Sequence, residues 1–142
     1  MGIAYRCDTR HGIVVSVWDG DVSFDELRDL IRRQLADPDW PGGRLGLTDA
    51  RTARGISAIT DEQICEIAAM YRTQQAKISG VKYARVGQGM QSILKFQKAM
   101  GPSGLTTLVF DRLDDACAWL GITVDDVQAT LEDLRQELRV NN

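Results

Sequence analysis

The sequence predicts an α/β domain with a mixed, mostly parallel five-stranded sheet flanked by helices. Three observations lead there. Short alternating or wholly apolar runs bounded by turn residues recur along the chain, stretches with apolar residues every three to four positions lie between them, and the first two runs are joined by a turn alone. An initial hairpin followed by strands that alternate with helices gives a sheet with one antiparallel edge and helices covering it. With 142 residues and 44% hydrophobic content, the chain can build one packed core but not two. The expected order is β-β-α-β-α-β-α-β-α plus an extra C-terminal helix. Residues 1–121 form the domain, and 122–142 an appended helix packed on it or in a dimer interface.

The first strand is "IAYRCDTR", alternating Ile3, Tyr5 and Cys7 with polar residues, and the second is "GIVVSVW", apolar on both faces and so the more buried. Ser23 followed by Glu26 has the capping-box spacing. Phe24, Leu27, Leu30, Ile31 and Leu35 then form the stripe of the first helix, which "DPDWPGG" stops. "RLGLTD" is a strand ending at Asp49, and "ARTARGIS" a polar corner. Thr60 with Gln63 opens a second helix with Ile64, Ile67, Ala68 and Tyr71 inward and Gly80 at its end. "VKYARV" is the fourth strand. "GMQSILKFQKAM" is the third helix, with Met90, Ile93, Leu94 and Met100 inward. "LTTLVF" is the fifth strand, Asp111 caps the helix "RLDDACAWL", and Gly121 closes it. From Thr123 onward, Val124, Val127, Leu131, Leu134 and Leu138 step by three and four, a narrow heptad-like seam.

Composition narrows the function. A net charge of -3 with interspersed basic residues gives no footprint for a phosphate backbone, so nucleic acid is not an expected partner. No apolar run is long enough for a membrane span, and the start "MGIAYRCDTRHG" has neither a signal-peptide pattern nor, with Arg6 at the sixth position, a myristoylation pattern; a cytoplasmic protein is expected. Cys7, Cys65 and Cys117 are too scattered for a metal knuckle or disulfide framework, and His11 is the lone histidine, so no metal site is expected.

The element order, read with "GIVVSVWDGDVSFDELRDLI", "RLGLTDAR" and the run that places Phe110, Ala116, Trp119 and Leu120 in "TLVFDRLDDACAWL", resembles the STAS-like proteins related to the stage II sporulation antagonist AA. It is most similar in pattern to their small stand-alone bacterial members, over roughly residues 3 to 121. The resemblance implies a helix-flanked sheet with a role in binding or regulation and no chemistry of its own. Anti-sigma antagonists of that group carry a phosphorylatable serine just beyond the third strand. Asp49 matches their aspartate, but Ala50 and Arg51 stand where the hydroxyl residues belong, leaving Thr52 and Ser57 as the nearby hydroxyls.

Two stretches invite a sharper reading. In "VGQGMQS", Gly87 and Gly89 match the start of a dinucleotide fingerprint, with Ser92 in place of the third glycine and Asp111 at the end of the next strand. The second βαβ half is missing, so the expectation is a tight corner, with an anion seat as the alternative. In "DARTARG", Arg51 and Arg54 fall at the same sheet edge as the start of the third helix, an arrangement suited to an anion. Asp49, Asp111, Asp114 and Asp115 supply carboxylates, but no nucleophile is visibly paired with a base, so neither catalysis nor a cofactor is expected.

The leading expectation is a non-enzymatic domain that binds a protein partner or small anionic ligand through Asp49, Arg51, Thr52, Arg54, Ser57, Gly87, Gln88 and Gly89. A homodimer through Val124, Val127, Leu131, Leu134 and Leu138 accompanies it. The alternative is a carrier of an apolar, lipid-type ligand, in which Met90, Leu94, Phe96, Met100 and Trp119 either fill the interior or line a cavity. A nucleotide-binding protein or a small hydrolase ranks behind both.

Overall fold

The computed structural model describes residues 2–41 and 43–140; Met1, Gly42, Asn141 and Asn142, at the ends of the two expected units and within the helix-stopping segment, lie outside the described residues. Strands β1 (Ile3–Asp8), β2 (Ile13–Asp21), β3 (Leu45–Arg54), β4 (Lys82–Gly87) and β5 (Thr106–Phe110) stand side by side in sequence order. β1 is antiparallel to β2, and the remaining pairs are parallel. The helices are α1 (Phe24–Ala36), α2 (Asp61–Arg72), the single turn α3 (Gln75–Ile78), α4 (Met90–Met100), α5 (Leu113–Leu120) and α6 (Val124–Val140).

This strand order decides where the helices go. From β2 to β5 the chain always steps in the same direction across the sheet, so right-handed crossovers put α1, α2 and α4 on one face. There they pack through Leu30, Ile31, Ile67, Ala68 and Met100. The opposite face is left to the chain beyond β5, where α5 and α6 cover it through Ala116, Leu120, Leu131 and Leu134, which meet Ile13, Val15, Leu47 and Val86. At 17 residues, α6 is about 25 Å long, enough to reach back across the sheet to β1 and β2. The seam of Val127, Leu131, Leu134 and Leu138 is buried against the sheet of its own chain, with Val124 packed alongside. Val127, Leu131, Leu134 and Leu138 are therefore occupied within the subunit, and Val124 is half-buried beside them.

Several boundaries differ from the sequence expectation for identifiable reasons. β3 does not stop at Asp49. Beyond a register shift between Val17 and Asp19, β2 continues to pair through Asp19, Gly20 and Asp21 with Thr52, Ala53 and Arg54, so most of the expected polar corner is strand. The second helix ends at Arg72, not near Gly80, because Thr73 closes it and the chain re-enters helix only as α3. Asp111 does not cap α5: Arg112 occupies the cap position without a side-chain cap bond and pairs instead with Asp114. On α4, Ile93 and Met100 face inward as expected, but Met90 and Leu94 are 52% and 58% exposed. Phe96 joins the inward side, turning the stripe away from both. The Thr60–Gln63 capping box is complete, whereas at Ser23 only the Glu26 N–H to Ser23 bond is made.

Candidate functional site

The face under α1, α2 and α4 is not solidly packed. Between sheet and helices lies a cavity of about 90 Å³, large enough for several waters or a small organic molecule. Its roof is apolar, built from Leu30 and Ile31 of α1, Ile64, Ile67 and Tyr71 of α2, and Ile93 and Phe96 of α4. Trp40, Tyr71 and Phe96 continue as an aromatic chain, with ring centroids 5.9 Å and 5.7 Å apart.

The floor is different. Ser16, Thr48 and Arg85 are register partners on β2, β3 and β4 and all line the cavity, forming a polar row across three neighbouring strands about 4.8 Å apart. Ser16 and Thr48 are 1% and 2% exposed, and the Ser16 hydroxyl has no hydrogen-bond partner. Three further buried donors on the cavity wall lack partners: Trp18 Nε1, Gln34 Nε2 and Trp40 Nε1. Buried polar atoms are ordinarily satisfied, and each one left alone costs roughly 1–3 kcal/mol. Four around one cavity is therefore a costly arrangement for packing alone.

Arg85 is the one charged side chain among the cavity-lining residues. Its guanidinium lies over the Trp18 ring, 4.6 Å from the centroid, and Nη1 donates to Ser92 Oγ at 3.3 Å. The Ser92 hydroxyl in turn donates to the Gly89 carbonyl at 2.9 Å. No carboxylate pairs with Arg85 among the described residues. Burial pulls its pKa down to about 10, with the Tyr83 and Tyr71 phenols acting the other way; burial likewise pushes the Tyr71 phenol up.

The stretch "VGQGMQS" has its role here. Gly87 (φ 125°) abuts the β3 backbone, where a Cβ would sit 2.8 Å from the Ala50 carbonyl. At Gly89 (φ 105°) a Cβ would come 2.8 Å from Arg85 Nη1. The corner is glycine-rich because one glycine admits a strand and the next admits the arginine and its serine.

The edge expected to bind anions is already neutralised by its own chain. Arg51 grips Asp49 in a two-point pair, Nε to Oδ1 at 3.0 Å and Nη2 to Oδ2 at 2.8 Å, and Arg135 of α6 pairs with the same carboxylate, which is 2% exposed. Arg54 meets Asp21 at 3.1 Å, and Thr52 donates to Asp19 at 2.6 Å. Gly87 is brought beside Ala50 in the ladder, while Ser57 and Gln88 are exposed at the same end of the sheet. Trp119 lies on the other face against Phe110, and Met100 fills the core, so of the residues expected to line an apolar cavity Phe96 alone does so. The residues that sequence reasoning missed are Ser16, Thr48 and Arg85. The available signal is "YAR" in a buried strand: if Ala84 and Val86 face one side, Tyr83 and Arg85 face the other.

No family model and no curated protein matches this chain. Among solved structures, the crystal structure of an uncharacterized DUF3478-family protein with a SpoIIAA-like fold from Shewanella loihica PV-4 is similar, with a TM-score of 0.50 and 18% identity over 84% of this chain and 93% of that one. The fold is SpoIIAA-like. At that identity the likeness establishes the architecture expected from the strand order and the "DAR" and "AWL" runs, and nothing about a ligand. Among the described residues, no helix is long and apolar enough to cross a membrane.

Proposed function

We propose that this SpoIIAA-like domain is a non-enzymatic binding protein whose ligand is a small molecule held in the interior cavity, so that it acts as a carrier or sensor. The observation that supports the reading is the lining: an apolar roof over a floor and wall on which the buried polar atoms of Ser16, Trp18, Gln34 and Trp40 lack partners. Largely apolar concave sites with a few convergent polar groups are what small-molecule sites usually look like. Native mass spectrometry of protein purified gently from its host tests it. A discrete extra mass that leaves on denaturation is expected. It should be absent from Ile67→Trp, which fills the cavity at a packing cost of about 1–3 kcal/mol. Identical native and denatured masses, together with unchanged stability on adding small apolar molecules, would refute it.

A second reading, docking of a protein partner at the edge containing Gly87, Gln88 and Gly89, is favoured by the exposed pair Met90 and Leu94, one turn apart on the adjoining helix. Changing both to Ser should then abolish co-purification of a partner while leaving the fold intact.

A further inference from the structure

We infer that the ligand of this cavity carries a single carboxylate, and that Arg85 with the in-register hydroxyls of Ser16 and Thr48 is the group that receives it. This rests on the cavity reading above and adds the chemical class of the ligand.

A guanidinium has five N–H donors, and the intramolecular bond to Ser92 accounts for one of them at Arg85. The guanidinium carbon stands 4.6 Å from the Trp18 ring centroid, and the N–H donors not bonded to Ser92 are left to meet a ligand. A planar N–H edge matches a planar carboxylate with two parallel bonds. The hydroxyl next along the row, on Thr48, can donate to the same anion, and Ser16 extends the row to β2.

Charge count selects among anions. Arg85 is alone among the lining residues in carrying a charge, so the site neutralises one negative charge and no more. A phosphate monoester would bring nearly two into surroundings of low dielectric, leaving one uncompensated. A cationic ligand would face a like charge. Beyond the polar row the roof is aliphatic and aromatic, which calls for a hydrocarbon or aryl body attached to the acid; Gln34 and the Trp18 and Trp40 N–H groups remain as polar points on the wall. An aliphatic or aryl-alkyl monocarboxylic acid fits the single charge and the apolar roof.

The test compares acids with alcohols of the same skeleton. Octanoate and 3-phenylpropionate, with octan-1-ol and 3-phenylpropanol, are titrated calorimetrically into the wild-type protein and Arg85→Met at pH 7. The wild type is expected to bind each acid at least tenfold more tightly than its alcohol. Arg85→Met should bind the alcohols unchanged and lose the preference, and Arg85→Lys, which keeps the charge without the fork, should retain a smaller one. The wild-type preference should also fade below about pH 4–5, where the ligand's own carboxyl takes up a proton, which a merely structural arginine would not produce.

Equal affinities for acid and alcohol in the wild type would overturn the carboxylate inference while leaving the cavity reading standing. Binding of none of the four probes would overturn both. An acid preference that survives in Arg85→Met would assign the anion to another residue and overturn the role given to Arg85.

Discussion

Replacing the half-buried Arg85 with Met should make the ligand-free protein more stable, an uncommon direction for a substitution. A pKa held near 10 against the ordinary 12.5 corresponds to at most about 3 kcal/mol against the charged form in the fold, less to the extent that solvent reaches this half-buried side chain. Methionine keeps most of the length and volume and removes that penalty. Against this, the bond to Ser92 and the packing on Trp18 are lost, together on the order of 1–2 kcal/mol. The net expectation is a gain of up to about 1–2 kcal/mol, in the direction seen when poorly solvated charges are replaced by apolar side chains. For a chain of this length that is a rise in Tm of about 3–4 °C per kcal/mol.

Urea titrations followed by tryptophan fluorescence and circular dichroism provide the assay, with an unchanged m value as the sign that only stability has moved. The pH dependence carries its own sign. Because the folded-state pKa is the lower one, the unfolded chain binds more protons between about 10 and 12.5, so Arg85 opposes folding in full below about 10 and less as the pH rises through that window. A loss of more than about 1 kcal/mol in Arg85→Met would refute the reasoning, since it would make Arg85 a structural anchor of the β4–α4 corner and not a group held in readiness for a ligand.

The same geometry has consequences elsewhere in the molecule. Asp49→Ala strips both Arg51 and Arg135 of their shared carboxylate; Arg51 can turn to water but Arg135 is only 24% exposed, so a loss of about 3 kcal/mol is expected by urea titration, and a change below about 1 kcal/mol would show that the cluster does not tie α6 to the sheet. Leu134→Asp places a charge at a fully buried position and should abolish cooperative unfolding in circular dichroism; a soluble, folded monomer would instead mean that the seam of α6 joins two subunits. With a chromogenic disulfide at pH 8, exposed Cys65 should react rapidly, whereas Cys7, its thiol pushed up to about 12 by burial and then by Asp37, and buried Cys117 should wait for denaturant; three equal rates would contradict this. The Asp37 carboxyl is held below its usual range by the Asp39 N–H and then by the Tyr5 hydroxyl, so its contribution is present at neutral pH and fades as the pH falls below the ordinary carboxylate value; Asp37→Asn should narrow the gap between urea midpoints at pH 7 and pH 3, and an undiminished gap would assign the acid sensitivity elsewhere.

How far the sequence can be read depends on what each feature rests on. Strand and helix identities rest on local periodicity, and the stripe of Leu27, Leu30 and Ile31 or the run "IVVSVW" declares itself within a few residues. The heptad-like spacing of Val127, Leu131, Leu134 and Leu138 is equally plain, but the spacing of a helix face is the same whether it meets its own sheet or another subunit. Topology decides it: one-directional crossovers leave a whole sheet face for α5 and α6 to cover. The side chains that pair with the expected anion edge are hidden for a related reason. Arg51 and Arg54 are visible as cations, but Arg135, Asp19 and Asp21 reach Asp49, Thr52 and Arg54 only after α6 docks and β2 continues past its register shift.

The polar floor shows the limit most clearly. Ser16, Thr48 and Arg85 are 32 and 37 positions apart by their numbering, and each alone is an ordinary polar interruption of a strand. They become a site because parallel pairing sets them in one row and because no acid stands in that row beside the arginine. An arginine on the helix-covered face of a central parallel strand is costly unless something neutralises it, and that cost can be read from sequence before any cavity is seen. Within the chain, the row offers only Tyr5, Ser16, Thr48 and Val109, none of them a carboxylate, so the counter-charge is expected from the ligand.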